Sequence, residues 1–388
     1  MESTSTGDRI RVVRKRRGMT QRELAATAGL SYSTVKKIEQ GTYGGIRLET
    51  LRKLAAAVKV PTTTLMQTAG QHEPEAPDST MWGPVRQAIA HPHQAASPAP
   101  VTGRGLSDAL LAAVKLYQGN RYDLLALALP PLLADAEDGP PLLRSRVLQL
   151  AGSAMVQTRQ HEAARVALDR SLADAQATGS TLDAASAVVT SCWLLLTDGK
   201  FEQVRHLAAE WADRVEPRFS AATVDEMSVW GWLLLRGSAA AIRDNRPGEA
   251  ADMMRLAEAA AVAAGNERGG YHMYWTTFGT ATVAMKRVEN AVVDGRPDVA
   301  LKLARKVPSG LRPTSDNRNR HLLDVSAAHL ELRQADDALG VLFELSRDAG
   351  PWLAEQRMAG DLLSRIIGRR RTLTPDMRDL ADAVRLPL

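Results

Sequence analysis

The sequence predicts an all-α fold, in which a five-helix N-terminal domain is followed by a long α-solenoid of helical hairpins. Aromatic residues make up only 4% of the chain, and strand-forming residues are scarce beside abundant Ala, Leu and Arg. Apolar residues recur at helical spacing almost throughout, interrupted by short polar segments. The 388 residues exceed one compact core of ordinary size, so more than one domain is expected.

Charge is distributed unevenly along the chain. Residues 1–70 contain 13 Lys/Arg and 5 Asp/Glu, a net charge of +8, whereas the remaining residues carry a net charge of −3. A basic segment of this kind is typical of contact with a polyanion, because cationic side chains that neutralise phosphates release condensed counterions. The asymmetry therefore indicates a nucleic-acid partner for the N-terminal domain.

The remaining composition excludes several classes of protein. Cys192 is the single cysteine, so neither an intramolecular disulfide nor a cysteine zinc site can form. It lies in an apolar stretch, which predicts a buried thiol.

The N-terminus lacks an apolar signal segment and no run approaches the ~20 apolar residues of a spanning helix, so we expect a cytoplasmic protein. No P-loop, dinucleotide-binding glycine motif, nucleophile elbow or metalloprotease helix occurs. We therefore expect a non-enzyme without cofactor or metal.

Capping residues divide the basic segment into short helices. A first helix is predicted over residues 7–17 and ends at Gly18, because glycine adopts the left-handed conformation that follows many helices. Thr20 and Glu23 match a capping box, which predicts the start of a second helix. Gly29 ends that helix and opens a short turn.

A third helix follows this turn directly. Ser31 is its predicted cap and Gln40 its last residue, with Val35 and Ile38 facing inward. Its outward residues are Tyr32, Ser33, Lys36 and Lys37. Two short helices separated by a glycine-bearing turn, the second with a polar and basic outer face, indicate a helix-turn-helix.

Five sequence blocks carry a family resemblance. They are Met19 to Ala25, Gly29 to Ser31, Val35 to Gly41, Leu51 to Ala55 and Val58 to Val60. Together they resemble the XRE family of lambda-repressor-like regulators, in which capping residues, turn glycines and core spacing occur in this order. The resemblance covers residues 7–68, and it implies a fourth helix over residues 48–58 and a fifth over residues 61–68, with Pro61 in its first turn.

The resemblance also implies which residues contact DNA. The predicted set is Gln21, Ser31, Tyr32, Ser33, Lys36, Lys37, Tyr43 and Arg47. Gln21 should bond a phosphate near the positive end of the second helix, while the early outward positions of the third helix should touch base edges, Lys37 preferring guanine. Tyr43 and Arg47 are candidates for backbone or minor-groove contact. Glu39 is expected to pair with an arginine of the domain, and the alternative for the whole set is a solvated basic face.

A proline-rich segment separates the N-terminal domain from the rest of the chain. Residues 71–105 are predicted to be a linker, since six prolines between positions 74 and 100 prevent a long helix. Within it, residues 81–90 predict a short helix with Trp82, Val85 and Ile89 on one side, which would dock on the solenoid. The predicted domains are residues 1–70, 71–105 and 106–388.

The remainder of the chain shows a recurring turn signal. Its markers are Gly119, Arg159, Gly199, Asn245, Gly295 and Gln334, at steps of 40, 40, 46, 50 and 39 residues. Each step holds two helices whose apolar stripes cannot be buried alone, so neighbouring hairpins must stack. The array resembles tetratricopeptide repeats with helices longer than the usual ~34-residue period allows. Six or seven hairpins and a concave inner wall are expected.

Aromatic residues concentrate in the middle of this array. The segment 271–278 follows three glycines and contains the densest aromatic cluster in the chain. The cluster predicts either packing between repeats or a ligand pocket that uses ring faces and hydrogen bonds. The predicted ligand-binding set is Trp193, Trp230, Tyr271, His272, Tyr274, Trp275, Phe278 and Thr282.

The order of the two domains resembles RRNPP-type quorum-sensing regulators and actinobacterial XRE regulators with tetratricopeptide tails. This resemblance implies operator binding on double-stranded DNA that is controlled by a small molecule or peptide. One five-helix domain reads only a few base pairs, so a homodimer held through the solenoid is expected. Two alternatives stay open: the solenoid binds a partner protein as an adaptor would, or it only dimerises. No membrane partner is expected.

Overall fold

The computed structural model describes residues 5–43, 45–66, 80–91, 102–265, 277–307, 315–370 and 372–386. Within these ranges the chain forms twenty α-helices and one short 3₁₀ helix, and no β-strand is present. The predicted all-α fold, a helix-turn-helix domain followed by a helical-repeat body, is therefore confirmed.

Five helices form the N-terminal domain. They are α1 (Thr6–Arg16), α2 (Gln21–Ala28), α3 (Tyr32–Glu39), α4 (Leu48–Ala57) and α5 (Thr62–Leu65). Their apolar faces meet in one core, in which Leu24, Val35, Leu51 and Leu54 are fully buried. Burial of four such side chains contributes roughly 1.5–3 kcal/mol each, so this core holds the short helices together.

Two predicted helix starts in this domain move by one residue. Helix α1 begins at Thr6 because the Ser5 hydroxyl accepts a hydrogen bond from the Asp8 backbone N–H at 3.1 Å. Pro61 was expected within the first turn of α5 but precedes the helix as its N-cap, since its ψ of 143° is extended and not helical. Residues 67 and 68 of the predicted fifth helix lie outside the described residues.

A short helix from the linker packs against the body. Helix α6 (Gly83–Ala90) follows the 3₁₀ helix Thr80–Trp82. Trp82, Val85 and Ile89 are buried in the apolar core that α6 shares with α8 and α10. The Arg86 guanidinium donates to the Gln160 side-chain oxygen at 2.6 Å. This helix therefore ties the linker to the first two hairpins.

Fourteen helices in the described ranges form six consecutive hairpins and a final helix pair that packs on the sixth hairpin. Their members are α7 (Gly103–Gln118) with α8 (Tyr122–Glu137), α9 (Pro141–Gln157) with α10 (His161–Ala177), α11 (Thr181–Thr197) with α12 (Phe201–Arg214), α13 (Val224–Arg243) with α14 (Pro247–Ala264), α15 (Thr280–Val293) with α16 (Pro297–Ala304), α17 (Ser315–Glu331) with α18 (Ala335–Ala354), and α19 (Arg357–Ile367) with α20 (Pro375–Ala383). The predicted hairpin number is confirmed.

The six predicted turn signals lie at the turns inside the first six hairpins. Each turn has three residues, and its middle residue has a positive φ: Asn120, Arg159, Gly199, Asn245, Gly295 and Arg333. The residue after it donates its N–H to a carbonyl in the preceding helix, as Lys200 does to Leu195 at 2.9 Å, which is the long bond of a Schellman motif. One turn geometry thus reverses the chain six times.

The two ends of the repeat array meet in space. Side chains of α7 and α8 belong to the same apolar cluster as those of α17 to α20, which lie far along the chain. Tyr117 on α7 is hydrogen-bonded to Asp316 on α17. The array therefore curves back on itself, and the first helices of successive hairpins line its inner side.

Candidate functional site

Helix α3 presents a polar face to solvent. Its first turn is fixed because the Ser31 hydroxyl accepts from the Thr34 backbone N–H at 3.1 Å and contacts the Ser33 hydroxyl at 2.9 Å. Val35 and Ile38 lie in the domain core. The exposed residues are Ser31, Tyr32, Ser33, Lys36 and Lys37. The structure thus brings five members of the predicted DNA-contacting set onto one accessible helix, and a major groove admits a helix of this size.

Helix α2 holds this face in position. Thr20 and Glu23 form the predicted capping box, in which each side chain accepts a hydrogen bond from the other's backbone N–H. Gly29 ends the helix with a φ of 64°. That left-handed conformation costs glycine little, so the chain turns sharply into α3 at this point.

A buried ion pair fixes the end of α3 to α1. The Arg14 guanidinium donates to both carboxylate oxygens of Glu39, at 2.6 and 2.8 Å, and also to the Met19 carbonyl at 2.7 Å. Burial alone would raise the pKa of Glu39, but the hydrogen bonds from Arg14 and Gln21 outweigh it and hold that pKa below its ordinary value. The expected partner of Glu39 is therefore Arg14.

Gln21 joins this ion pair at the start of α2. Its side-chain Nε2 donates to Glu39 at 2.8 Å, and the residue is only partly exposed. The same amide was predicted to bond a phosphate. That contact stays a prediction, and the structure adds that Gln21 also links α2 to the far end of α3.

Arg22 is a basic residue that the sequence prediction did not include. Its guanidinium carbon lies 5.6 Å from the ring centre of Tyr32, a stacking distance for a cation and an aromatic ring. Both residues are exposed. Arg22 therefore orients the Tyr32 ring and adds a positive charge to the basic face that carries Lys36 and Lys37. The sequence did contain a signal for this role, because Arg22 directly follows Gln21 on the outward side of α2.

Tyr43 and Arg47 lie between α3 and α4 and not on α3 itself. Tyr43 is exposed and has 38% of its surface accessible. Arg47 precedes α4 and forms an exposed ion pair with Asp361 on α19 at 3.8 Å. Arg47 thus lies where the N-terminal domain meets the body, and its predicted DNA contact stays a prediction.

Close backbone packing of α1 against α3 requires glycine at position 7. A methyl group there would collide with the carbonyl oxygen of Ile38, and backbone cannot move aside as a flexible side chain can. We expect Gly7→Ala to lower the free energy of unfolding of the N-terminal domain by about 1–3 kcal/mol through overpacking, although alanine favours helices. Hydrogen exchange of the full chain measures this as faster exchange in α1 to α3.

Gly340→Ala is the matched control for this substitution. Gly340 lies within α18, and nothing is close enough to contact a methyl group there. We expect the control to be neutral or stabilising, because only helix propensity changes. Equal protection of α1 to α3 in Gly7→Ala and the unaltered chain would contradict the proposed close packing.

A cavity of about 360 Å³ lies inside the curved repeat array, referred to below as the central cavity. Its walls come from α7, α9, α11, α13, α15, α17 and α18, with Leu48 of the N-terminal domain also lining it. Most of these are the first helices of their hairpins. Polar side chains on this inner side include Gln149, Ser153, Thr190 and Glu289. A volume of this size falls at the lower end of the range for small-molecule pockets.

The predicted ligand-binding residues divide into three groups. Trp193 lines the central cavity. Trp230, Phe278 and Thr282 are buried in the packed interior and are not among the cavity-lining residues, so for these three the structure favours the packing interpretation. The Trp230 ring, for example, meets the Phe219 ring edge-on, with 5.8 Å between the two ring centres. Tyr271, His272, Tyr274 and Trp275 lie outside the described residues.

Membrane-spanning helices and metal-ligand clusters are both absent from the part of the chain that the structure describes. None of its helices combines the length and apolar character needed to cross a membrane. In the same residues, no three or more His, Cys, Asp and Glu side chains are grouped as metal ligands. Cys192 is fully buried, and burial raises the pKa of its thiol to about 12, as expected for an inert thiol.

A capped helix-turn-helix with an exposed basic face, joined to a helical-repeat body, defines a DNA-binding transcriptional regulator. Residues 10–65 match the helix-turn-helix family model HTH_3. The HTH-type transcriptional repressor RghR of Bacillus subtilis is 35% identical over 91 residues, which cover 22% of this chain and 67% of that protein. The chain therefore belongs to the XRE-type helix-turn-helix transcriptional regulators.

Two other proteins are similar to parts of the chain. The HTH-type transcriptional regulator RghRB of Bacillus subtilis is 42% identical over 64 residues, which cover 16% of this chain and about half, 46%, of that protein. The crystal structure of Bacillus thuringiensis PlcR in complex with the peptide PapR7 and DNA aligns with 77% of this chain and 94% of that chain. Its TM-score is 0.35 and its sequence identity 13%, values that do not establish a shared ligand.

Proposed function

We propose that this regulator binds its operator as a homodimer and that a small ligand in the central cavity controls this binding. The observation that carries the proposal is the docking of α4 and α5 on the body, because Leu48 of α4 is itself part of the cavity wall. Leu48 also packs against an apolar cluster whose buried side chains come from α10 to α15. Occupancy of the cavity and the position of the N-terminal domain therefore involve the same side chain.

Hydrogen bonds between the two domains concentrate at the turn after α13. The Thr62 hydroxyl donates to the Arg243 carbonyl at 2.8 Å, and the Thr63 backbone N–H and hydroxyl donate to Asp244 at 3.0 and 2.9 Å. The Asn245 amide donates to the Val60 carbonyl at 3.2 Å. These bonds join the start of α5 to one turn of the body.

The same turn is connected to the cavity wall. The Arg243 guanidinium donates to Glu289 at 2.6 Å, and both side chains line the central cavity. A ligand that contacts either of them would act on the helix end that carries the Thr62 contact. Such a ligand changes operator binding only if it prefers one position of the N-terminal domain over another. The coupling free energy between two such binding sites is typically about 1–3 kcal/mol.

A cavity-filling substitution tests this control without a known ligand. Ala239 lines the central cavity, so Ala239→Phe occupies part of it, while Ala259→Phe adds the same side chain on α14, away from the cavity-lining residues. We expect Ala239→Phe to change the operator dissociation constant by about 5–150-fold and Ala259→Phe to leave it unchanged. Circular dichroism melting confirms that both variants fold. Identical affinities would count against ligand control.

The homodimer has a separate test. Selection of duplexes from a random pool by the full chain should recover two half-sites whose centres are about one helical turn, or a multiple of it, apart. Sedimentation of the complex should give two chains per duplex. A single half-site bound by one chain would contradict the homodimer and leave the helix-turn-helix assignment intact.

A further inference from the structure

Arg236 on α13 is a half-buried cation that lies against two aromatic rings. Its guanidinium carbon is 5.5 Å from the ring centre of Trp193 and 5.1 Å from that of Trp232. Its Nε is buried and has no hydrogen-bond acceptor among the described residues. Burial lowers the pKa of Arg236 to about 10, so the group remains protonated at neutral pH. A half-buried charge of this kind costs free energy unless an anion meets it.

The three other cations of the central cavity are paired. Arg243 and Lys286 both contact Glu289, at 2.6 and 2.8 Å, so one carboxylate serves two cations, and Arg320 pairs with Asp324 at 3.5 Å. Arg236 lines the same cavity but takes part in none of the ion pairs of the described ranges, and Glu289, the carboxylate that most favours its charged form, is already shared by Arg243 and Lys286. Burial raises the pKa of Asp316, another wall residue, to about 7, so this carboxyl is only partly ionised at neutral pH. The cavity therefore carries excess positive charge.

The walls beside Arg236 are flat and aromatic. Trp193, Trp232 and Trp352 line the central cavity. The rings of Trp193 and Trp232 lie against the Arg236 guanidinium, so they offer a flat apolar surface to the body of a ligand beside that charge.

We propose that the central cavity binds a small organic carboxylate with a flat apolar body, and that Arg236 receives the carboxylate group. This inference rests on the proposed function, since it names the chemical class of the controlling ligand. A guanidinium can hold a carboxylate through two parallel hydrogen bonds, and the tryptophan rings contact the apolar body. The carboxylate can belong to a free organic acid or to the C-terminus of a very short peptide.

Arg236 lies about two helical turns before Arg243 on α13, so the two residues share a face of that helix. The Arg243 carbonyl accepts the hydrogen bond from Thr62 of the N-terminal domain. A carboxylate drawn toward Arg236 would therefore bind on the helix face that ends at the interdomain contact. This places the proposed ligand beside the contact through which control is proposed.

Matched probes that differ only in charge test the proposal. Naphthalene-2-carboxylate and naphthalene-2-carboxamide are titrated into the full chain by calorimetry, together with the dipeptide Leu-Trp and its C-terminal amide. We expect at least one carboxylate to bind about tenfold or more tightly than its amide, and the pair with the larger preference identifies the source of the carboxylate. Equal affinities within both pairs, or no binding by any probe, overturn the proposal.

Two substitutions assign the preference to Arg236. Arg236→Met should bring the carboxylate-to-amide ratio to about one, whereas Arg236→Lys should retain a preference. Because Arg236→Met removes a half-buried charge that takes part in none of the ion pairs of the described ranges, its melting temperature should be no lower than that of the unaltered chain. Arg255→Met is the control and should keep the preference, because Arg255 lies on α14 in an exposed ion pair with Asp252, away from the residues that line the central cavity. A preference that survives Arg236→Met overturns the assignment.

Operator affinity measured in the same samples separates this proposal from ligand control. If a probe binds through Arg236 and the operator dissociation constant stays unchanged, the anion site stands and ligand control fails. If Ala239→Phe changes operator affinity while neither carboxylate is preferred, control through the cavity stands and the anion assignment fails.

Discussion

Replacing Glu39 with alanine should lower the free energy of unfolding of the N-terminal domain by about 3–5 kcal/mol and abolish operator binding. The substitution leaves the Arg14 guanidinium buried without its partner, and breaking one side of a buried pair is far more costly than breaking an exposed pair. It also releases Gln21 from the end of α3. Differential scanning calorimetry and operator titration of the full chain measure the two effects.

Asp252→Ala provides the control for this prediction. Asp252 forms an exposed ion pair with Arg255 at 2.6 Å, with about two thirds of each side chain accessible. Exposed pairs contribute about 0–1 kcal/mol, so the control should leave both the unfolding transition and the operator affinity unchanged. A Glu39→Ala chain that melts like the control would show that the Arg14–Glu39 pair does not support the domain.

Alanine at Tyr32 or Lys37 should weaken operator binding by about 1–3 kcal/mol for each interaction with a base that it removes, and it should relax sequence preference. Tyr32 opens α3 and Lys37 lies in its last turn, later than expected, but both side chains are exposed, so neither substitution removes core packing. Gln21→Ala should instead weaken binding to all duplexes alike, since a phosphate contact carries no sequence information. Competition titrations against the selected operator and random duplexes distinguish the two patterns.

The removal of one positive charge needs its own control. Lys302 lies on α16 in the body, far from α3 in the chain, and Lys302→Ala changes the net charge by the same amount as Lys37→Ala. We expect Lys302→Ala to leave operator affinity unchanged. If Tyr32→Ala and Lys37→Ala bind the operator as tightly as the unaltered chain, α3 is not the helix that reads bases.

Local signals made the N-terminal domain predictable. Capping residues such as Thr20 and Ser31, and the turn glycine Gly29, act through bonds to nearby residues, so their effect is visible in adjacent positions of the sequence. The same holds for the turns of the body. In each of the first six hairpins, the turn between the two helices has a residue in the left-handed conformation. For this reason the helix-turn-helix and the number of hairpins were predicted correctly.

The composition of the central cavity was not predictable in the same way. The predicted ligand-binding set followed the density of aromatic residues along the chain, whereas of its described members only Trp193 lines the cavity. Arg236 gave no signal in the sequence, because an arginine in an amphipathic helix looks the same there whether it faces water or an interior. Its surroundings depend on which side chains meet it in space.

The sequence by itself determined the class of this protein: an XRE-type helix-turn-helix domain, its exposed basic helix and a body of helical hairpins. These depend on caps, turns and apolar periodicity, which act over a few residues. Only the tertiary structure decided that the repeat array curves back on itself, that Leu48 reaches the cavity and that Arg236 lies against two tryptophan rings in the cavity wall. Those features depend on the curvature summed over the whole repeat array, because small rotations between neighbouring hairpins determine which distant helices meet.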